Sequence, residues 1–461
     1  MNRRRMLKLV GGSVGALGAI GVTGRYVLLP PRPSPDLGRV DELAQRLFVD
    51  LDDETRAIAC VEYDHPLRQY HNRGVWTGGI RVWRNLDWDQ RQVLVDLLHA
   101  GLSSTGRERV PRQFFLNWPG IHMLKLLFCG DPSAGPYQVI LSGPHLNLRL
   151  GGKNREGVAF GGPQIYGDQR GDKRPGLPGN TYRYQLEIAD RLFAELTPGE
   201  LERSTYPKEP IQTQIELRGH AAIAPGVALG DASRSARRIA RELVNGILEN
   251  YPAQDSEYAL ACIEANGGVD ALSLSRYEEG EDGPSGPNQI FRLEGPAAVF
   301  HYRGHPHLHA FVNIGMDGEA PFSVGESLGT NPAVIEGAGV KALFERAMAS
   351  ETGADLEYYD LRSVAGVLRA GEIRTGDIYN LESWQNRIAV LEIEAESLKP
   401  ALREALEQRG LEPDPTRTVS VATTDYAADG TKELFGNVAS RTFAGSLRRA
   451  TIEHIRAHGF A

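Results

Sequence analysis

Apolar positions recur along the chain at two spacings. Over 40–48 and 87–102 they return every three to four residues, the period of a helix with one buried face. In the second stretch Leu86, Val93, Leu94, Leu97 and Leu98 turn inward, and Asn85 or Asp87 stands where an N-cap is needed. The same period predicts helices over 184–196, 235–251, 333–350 and 395–408, and Thr197-Pro198-Gly199-Glu200 reads as a break that opens a further helix. Alternating or continuous apolar runs predict strands at 139–148, 291–302 and 308–312, then at 356–359 and 387–393, with a last one at 419–426. The sum is an α+β or α/β protein in two domains. Residues 37–318 are expected to form a mixed sheet with helices, and 319–461 a smaller α/β domain, with 1–36 set apart.

Two histidines one residue apart, His307 and His309, lie in the strand-like run after Pro306. Side chains at i and i+2 of a strand share a face about 7 Å apart, which lets two imidazoles converge on one ion. His-x-His on an exposed strand is equally the pattern of a solvated polar face, so a third ligand decides the matter. His145 offers one: Pro144-His145-Leu146 repeats Pro306-His307-Leu308 after a similar apolar run. The chain therefore reads as internally duplicated, with one histidine from the first copy and two from the second. By strict alternation Glu294 and His301 point to opposite faces, so only one of these two candidate catalytic bases can share the face of His307.

At 461 residues the chain is longer than one core usually organises, and 41% hydrophobic with 24% charged residues is the composition of a globular protein. A net charge of −8 argues against a nucleic-acid partner and for a small-molecule ligand. Cys60, Cys129 and Cys262 are odd in number and widely spaced, which supports neither a disulfide framework nor a thiolate zinc site.

Arg3-Arg4-Arg5-Met6-Leu7-Lys8, a glycine-rich apolar run over 9–22 and a proline-rich spacer resemble a twin-arginine export signal. That implies a protein exported to the periplasm or cell envelope. The apolar run is short of the ~20 residues of a spanning helix, yet no cleavage site is clear, so an uncleaved N-terminal membrane anchor stays open.

Leu86-Asp87-Trp88-Asp89-Gln90-Arg91, Gly143-Pro144-His145-Leu146, Tyr166-Gly167 and Phe291-Arg292-Leu293-Glu294-Gly295-Pro296 leading into His307-Leu308-His309 follow one another in a recognisable order. On these motifs the stretch 40–315 resembles the bacterial domain of unknown function 3500 family. The family's Gly-His-His-Leu has Pro144 at one histidine position here, so only His145 carries over. Its Asn-His-Ile-His corresponds to Pro306-His307-Leu308-His309, with Asn313 downstream. No activity is established for the family, so the resemblance groups the histidines without naming a reaction.

Residues 325–436 are similar to the C-terminal, substrate-binding domain of 5'-nucleotidases. The resemblance implies that Trp384 is one wall of an aromatic clamp and that Asn386 is retained beside it. Ala365 stands where the family has its phosphate arginine, Arg362 being nearby, and Ala427-Ala428-Asp429-Gly430-Thr431 replaces a glycine-rich loop. The dimetal motifs of those enzymes are missing, so ordinary 5'-nucleotidase activity is not expected.

These readings converge on an exported metal-dependent hydrolase. His145, His307 and His309 are the expected ligands of a divalent metal, zinc being the candidate, since three neutral imidazoles and an open position bring a bound water's pKa towards ~7. The second domain would hold the ligand through Trp384 and Asn386. The alternative is a non-enzymatic envelope protein that binds metal or ligand.

Overall fold

The computed structural model describes residues 37–461, except 71–77, 118–119, 144, 153–156, 169–179, 211, 213–214, 218, 221–223, 281–282, 317–322, 365, 412–417, 431–434 and 461. The stretch that resembles an export signal, Pro144 and Ala365 therefore lie outside the described residues. By contacts the chain separates into two compact units, one of residues 1–63 and 72–322, the other of 64–71 and 323–461.

The first unit is built on one mixed sheet. Its main strands are β1 (Lys125–Cys129), β2 (Gln138–Gly143), β3 (Leu146–Leu150), β4 (Gln164–Asp168), β5 (Ser273–Gly280), β6 (Ile290–Gly295), β7 (Ala298–Arg303) and β8 (Leu308–Ile314). They lie in the order β1-β2-β3-β4-β8-β7-β6-β5, each antiparallel to its neighbours, with shorter strands added at the edges. One face is apolar: Leu141, Leu148, Tyr166, Ala310, Phe300 and Phe291 join a single core with the helices. Those helices include α1 (Leu37–Val49), α2 (Trp88–Ala100), α3 (Arg183–Ala194) and α5 (Arg234–Leu248), with the short α4 (Pro198–Ser204) between the last two. α5 shows why they pack so: Ala236, Ile239, Ala240, Leu243, Val244 and Ile247 repeat at three- and four-residue steps and are buried, and the Ser233 hydroxyl caps the first turn through Ala236 N. Asp87 and Thr197 cap α2 and α4 in reciprocal pairs with Gln90 and Glu200.

The opposite face of the sheet is polar. Asn147, Arg149, Arg292, Glu294, His301 and Arg303 are buried on it. A segment without regular structure covers part of it, since Ile215 and Leu217 pack with Ile165, Val299 and Phe311 in a separate small cluster.

Three expectations are corrected here. Residues 291–302 form a hairpin, β6 and β7, with Gly295 paired to Ala298. The turn resets the alternation: Arg292 pairs with His301 and Glu294 with Val299, so Glu294 and His301 share one face after all. His145 belongs to the turn between β2 and β3 and His307 to the one before β8, so of the three histidines only His309 is in a strand. The repeated motif does correspond to two hairpins, β2–β3 and β7–β8. In the sheet β1-β2-β3-β4 and β8-β7-β6-β5 lie side by side as two four-stranded meanders, the first motif following the second strand of its meander and the second motif the third.

In the second unit a four-stranded sheet, in the order β10-β13-β12-β14, contains β10 (Leu356–Glu357), β12 (Arg387–Glu394), β13 (Thr418–Thr424) and β14 (Val438–Ser446), while β9 (Ser327–Asn331) pairs with β11 (Gly371–Arg374). The helices are α6 (Ala338–Thr352), α7 (Thr375–Leu381), α8 (Pro400–Gln408) and α9 (Leu447–His458). β13 was expected to be the last strand; β14 follows it, and its mostly exposed residues lack the apolar alternation that reveals a buried strand. Pro400 opens α8 at its first turn, which shortens the helix expected from 395. Residues 64–70 pack within this unit: Gln69 Nε2 donates to Asp377 at 2.9 Å, the Tyr70 hydroxyl to Ser383 O, and Arg448 lies over the rings of Tyr70 and Tyr379.

Candidate metal centre

Antiparallel order places the sheet's two decisive turns at the same end. β3 and β8 run the same way on either side of β4, so the turn entering β3 and the turn entering β8 face each other across the end of β4. His145 occupies the first turn with φ at +62°, in the left-handed region. His307 and His309 come from the second. Between them stands Gly167, paired with His309 across the ladder. A Cβ on Gly167 would lie 3.2 Å from both Cβ and Cδ2 of His145, so the bare backbone lets that ring lean over β4.

The three rings form a near-symmetric cluster. Centroids of His145 and His307, His145 and His309, and His307 and His309 lie 5.0, 4.8 and 4.7 Å apart, with interplanar angles of 74°, 65° and 68°. One nitrogen from each lies within 4.8 Å of the other two, wider than the ~3.3 Å between the ligand nitrogens of a tetrahedral zinc, and the Nε2 atoms of His307 and His309 are 2.9 Å apart. All three side chains are half-buried. Burial pushes the His145 ring down to about 4, with the charge of His307 adding to the effect and Asp168 opposing it. His145 is thus neutral at physiological pH, the state a metal ligand needs.

A fourth side chain, which the sequence did not reveal, completes the arrangement. Gln212 is buried, and its Oε1 lies 2.7 Å from His309 Nδ1. Nδ1 donates that hydrogen bond, which leaves the Nε2 lone pair directed at His307. Gln212 is 97 residues from His309 in a segment without periodicity.

His301 and Glu294 lie in a buried network on the same face. The His301 Nε2 donates to Glu209 Oε2 at 3.2 Å, its Nδ1 accepts from Arg292 Nε at 3.3 Å, and Arg292 lies 3.5 Å from the Glu294 carboxylate. Burial holds His301 below its usual range. Both ring nitrogens are thus engaged in structure.

In the second unit the Trp384 ring is 40% exposed, and its Nε1–H donates to Ser363 O at 2.7 Å. Asn386 is buried, and its Nδ2 donates to Glu382 Oε1 at 2.8 Å. The Arg362 guanidinium is tied to Asp360 by bonds of 3.1 and 2.8 Å.

A family model described as Protein of unknown function (DUF3500) matches residues 35–314, a span that contains the whole histidine cluster. The chain belongs to the DUF3500 family. No curated protein matches it. Among solved structures, a 5'-nucleotidase precursor from Thermus thermophilus is similar at 11% identity, over 40% of this chain and 51% of that one, with a TM-score of 0.25. A Staphylococcus aureus protein described as a 5'-nucleotidase, solved with alpha-ketoglutarate, matches at 12% identity over 37% and 48% of the two chains, with a TM-score of 0.22. The chain spans about half the length of these structures, and a likeness of that extent assigns no activity. Among the described residues no helix is long and apolar enough to cross a membrane.

Proposed function

We propose that His145, His307 and His309 hold one divalent metal ion and that the DUF3500 unit is a metal-dependent hydrolase. The observation that carries this reading is the convergence of three ring nitrogens within 4.8 Å, delivered by two separate turns. An all-imidazole donor set of this size, with half-buried rings, fits a zinc-type ion with a position left for substrate. Such an ion supplies Lewis acidity and an activated water for hydrolysis. The chain's own contribution is to hold His145 neutral by burial and His309 in one tautomer through Gln212. Export by the twin-arginine route to the periplasm or envelope, and a ligand contact at Trp384, complete the proposal. Asn386 stays beside Trp384 in that proposal, with one N–H of its amide donated to Glu382.

A non-enzymatic metal-binding role is favoured by one observation: Glu294 and His301 are buried in a network of their own, so neither is free to act as an exposed base. Elemental analysis of the purified protein tests the common part of both readings. About one equivalent of metal is expected in the wild type and little in His307→Ala. Equal metal in both would overturn the site. Metal-dependent turnover of simple ester, amide or phosphoester substrates then separates an enzyme from a binder.

A further inference from the structure

The segment that crosses the polar face of the sheet is attached through side chains at successive points. Glu209 meets His301 at 3.2 Å and Gln212 meets His309 at 2.7 Å. Asn313 Nδ2 then donates to Ile215 O at 2.8 Å, and the segment ends with Gly219 N donating to Pro296 O at 3.1 Å. Ile215 and Leu217 add an apolar anchor against Phe311 and Val299. Gln212 bonds a ring of the histidine cluster, and it does so on the side away from His307, since His309 uses Nδ1 for Gln212 and turns Nε2 to His307.

An imidazole binds metal through a bare nitrogen, and which nitrogen is bare is set by the bond the other one makes. An unconstrained neutral imidazole exchanges between two tautomers; an acceptor fixed at Nδ1 removes one of them and holds the ring plane as well. The acceptor here is buried and anchored on both sides by the attachments just described.

We propose that Gln212 is the positioning residue of this metal site: its amide oxygen fixes His309 as the Nδ1–H tautomer, and the segment anchored by Glu209–His301 and by Ile215 holds that oxygen in place. The inference rests on the metal reading above and adds what makes His309 competent in it.

The test uses the full chain, with zinc affinity measured by competition against a chromophoric chelator and cobalt(II) spectra recorded for the ligand field. Gln212→Met, similar in volume but without an acceptor, is expected to weaken zinc about 10- to 100-fold and to alter the cobalt spectrum. Gln212→Glu restores an acceptor at the same place and is expected to recover affinity to within a few-fold of wild type. Nitrogen-resolved NMR of the histidines in metal-free wild type is expected to find the His309 proton on Nδ1, a readout that depends on no variant. Wild-type affinity in Gln212→Met, equal loss in the Met and Glu variants, or a proton on Nε2 would each overturn the inference while leaving the three-histidine site standing. Failure of the wild type to bind either ion would overturn both together.

Discussion

Gly167 stands directly opposite His309 in the β4–β8 ladder, and the space where its side chain would be is taken up by the ring of His145. The two histidine turns can meet across β4 only because that strand carries no Cβ at this point. Gly167→Ala would bring a methyl within 3.2 Å of His145 and 2.3 Å of Leu308 O, the second a backbone contact that cannot swing away. The expected result is a loss of about 1–3 kcal/mol from overpacking, together with a larger fractional loss of bound metal. Melting curves and metal content of the variant check this; full metal occupancy would show that His145 does not depend on the gap.

The parts of this arrangement that follow local rules were readable in the sequence. His307 and His309 announce a shared face by their spacing, and Asp87, Thr197 and the period of α5 announce helix starts and buried faces. What could not be read depends on turns and on distant partners. The two-residue turn at Pro296-Ala297 inverts the expected relation of Glu294 and His301, because a hairpin sets which parities share a face and a continuous strand sets another. Gln212 and Glu209 carry no periodic signal at all and find their histidines only through the fold.

Glu209 and His301 are expected to act as a coupled pair. Their side chains are fully buried at 3.2 Å. His301→Leu leaves the Glu209 carboxylate without its imidazole donor in a dry place and should cost about 3 kcal/mol. Adding Glu209→Leu removes the stranded charge, so the double variant should be more stable than the sum of the single losses predicts. Additive losses in denaturant unfolding would contradict the pairing, and hydrogen exchange at 209–217 would report the loosened segment.

Trp384 is expected to matter for ligand more than for folding. Its side chain is exposed and its Nε1–H donates to Ser363 O, so Trp384→Ala should cost only about 1 kcal/mol. Titration of the protein with adenosine, followed by tryptophan fluorescence, should give a quench that the variant lacks. The same quench in both proteins would remove Trp384 from the ligand site, and release of phosphate from AMP at about 1–10³ per second would refute the expectation that this is no ordinary nucleotidase.

The second unit should lose stability as pH rises from 4.5 to about 7, because of Glu382. Burial raises its carboxyl from 4.5 to about 7, against the opposing pull of Arg448 and of the hydrogen bonds from Asn386. The carboxyl is buried at the Asn386 turn, with the Arg448 guanidinium 3.5 Å away, so desolvation outweighs a single imperfect ion pair. A group whose pKa is raised in the folded state binds its proton more tightly there than in the unfolded chain. Its contribution is therefore fully present below pH 4.5, declines as pH rises from 4.5 to about 7 and is gone above that. The span corresponds to on the order of 3 kcal/mol. Glu382→Gln keeps an acceptor for Asn386 Nδ2 and cannot ionise, so its unfolding free energy should vary less with pH over that window and exceed that of the wild type at pH 8. Thermal or denaturant unfolding of both full-length proteins at several pH values between 4 and 8 reads the difference. Parallel pH profiles for the two would mean that Glu382 titrates where an exposed glutamate does, and that its burial is offset by Arg448.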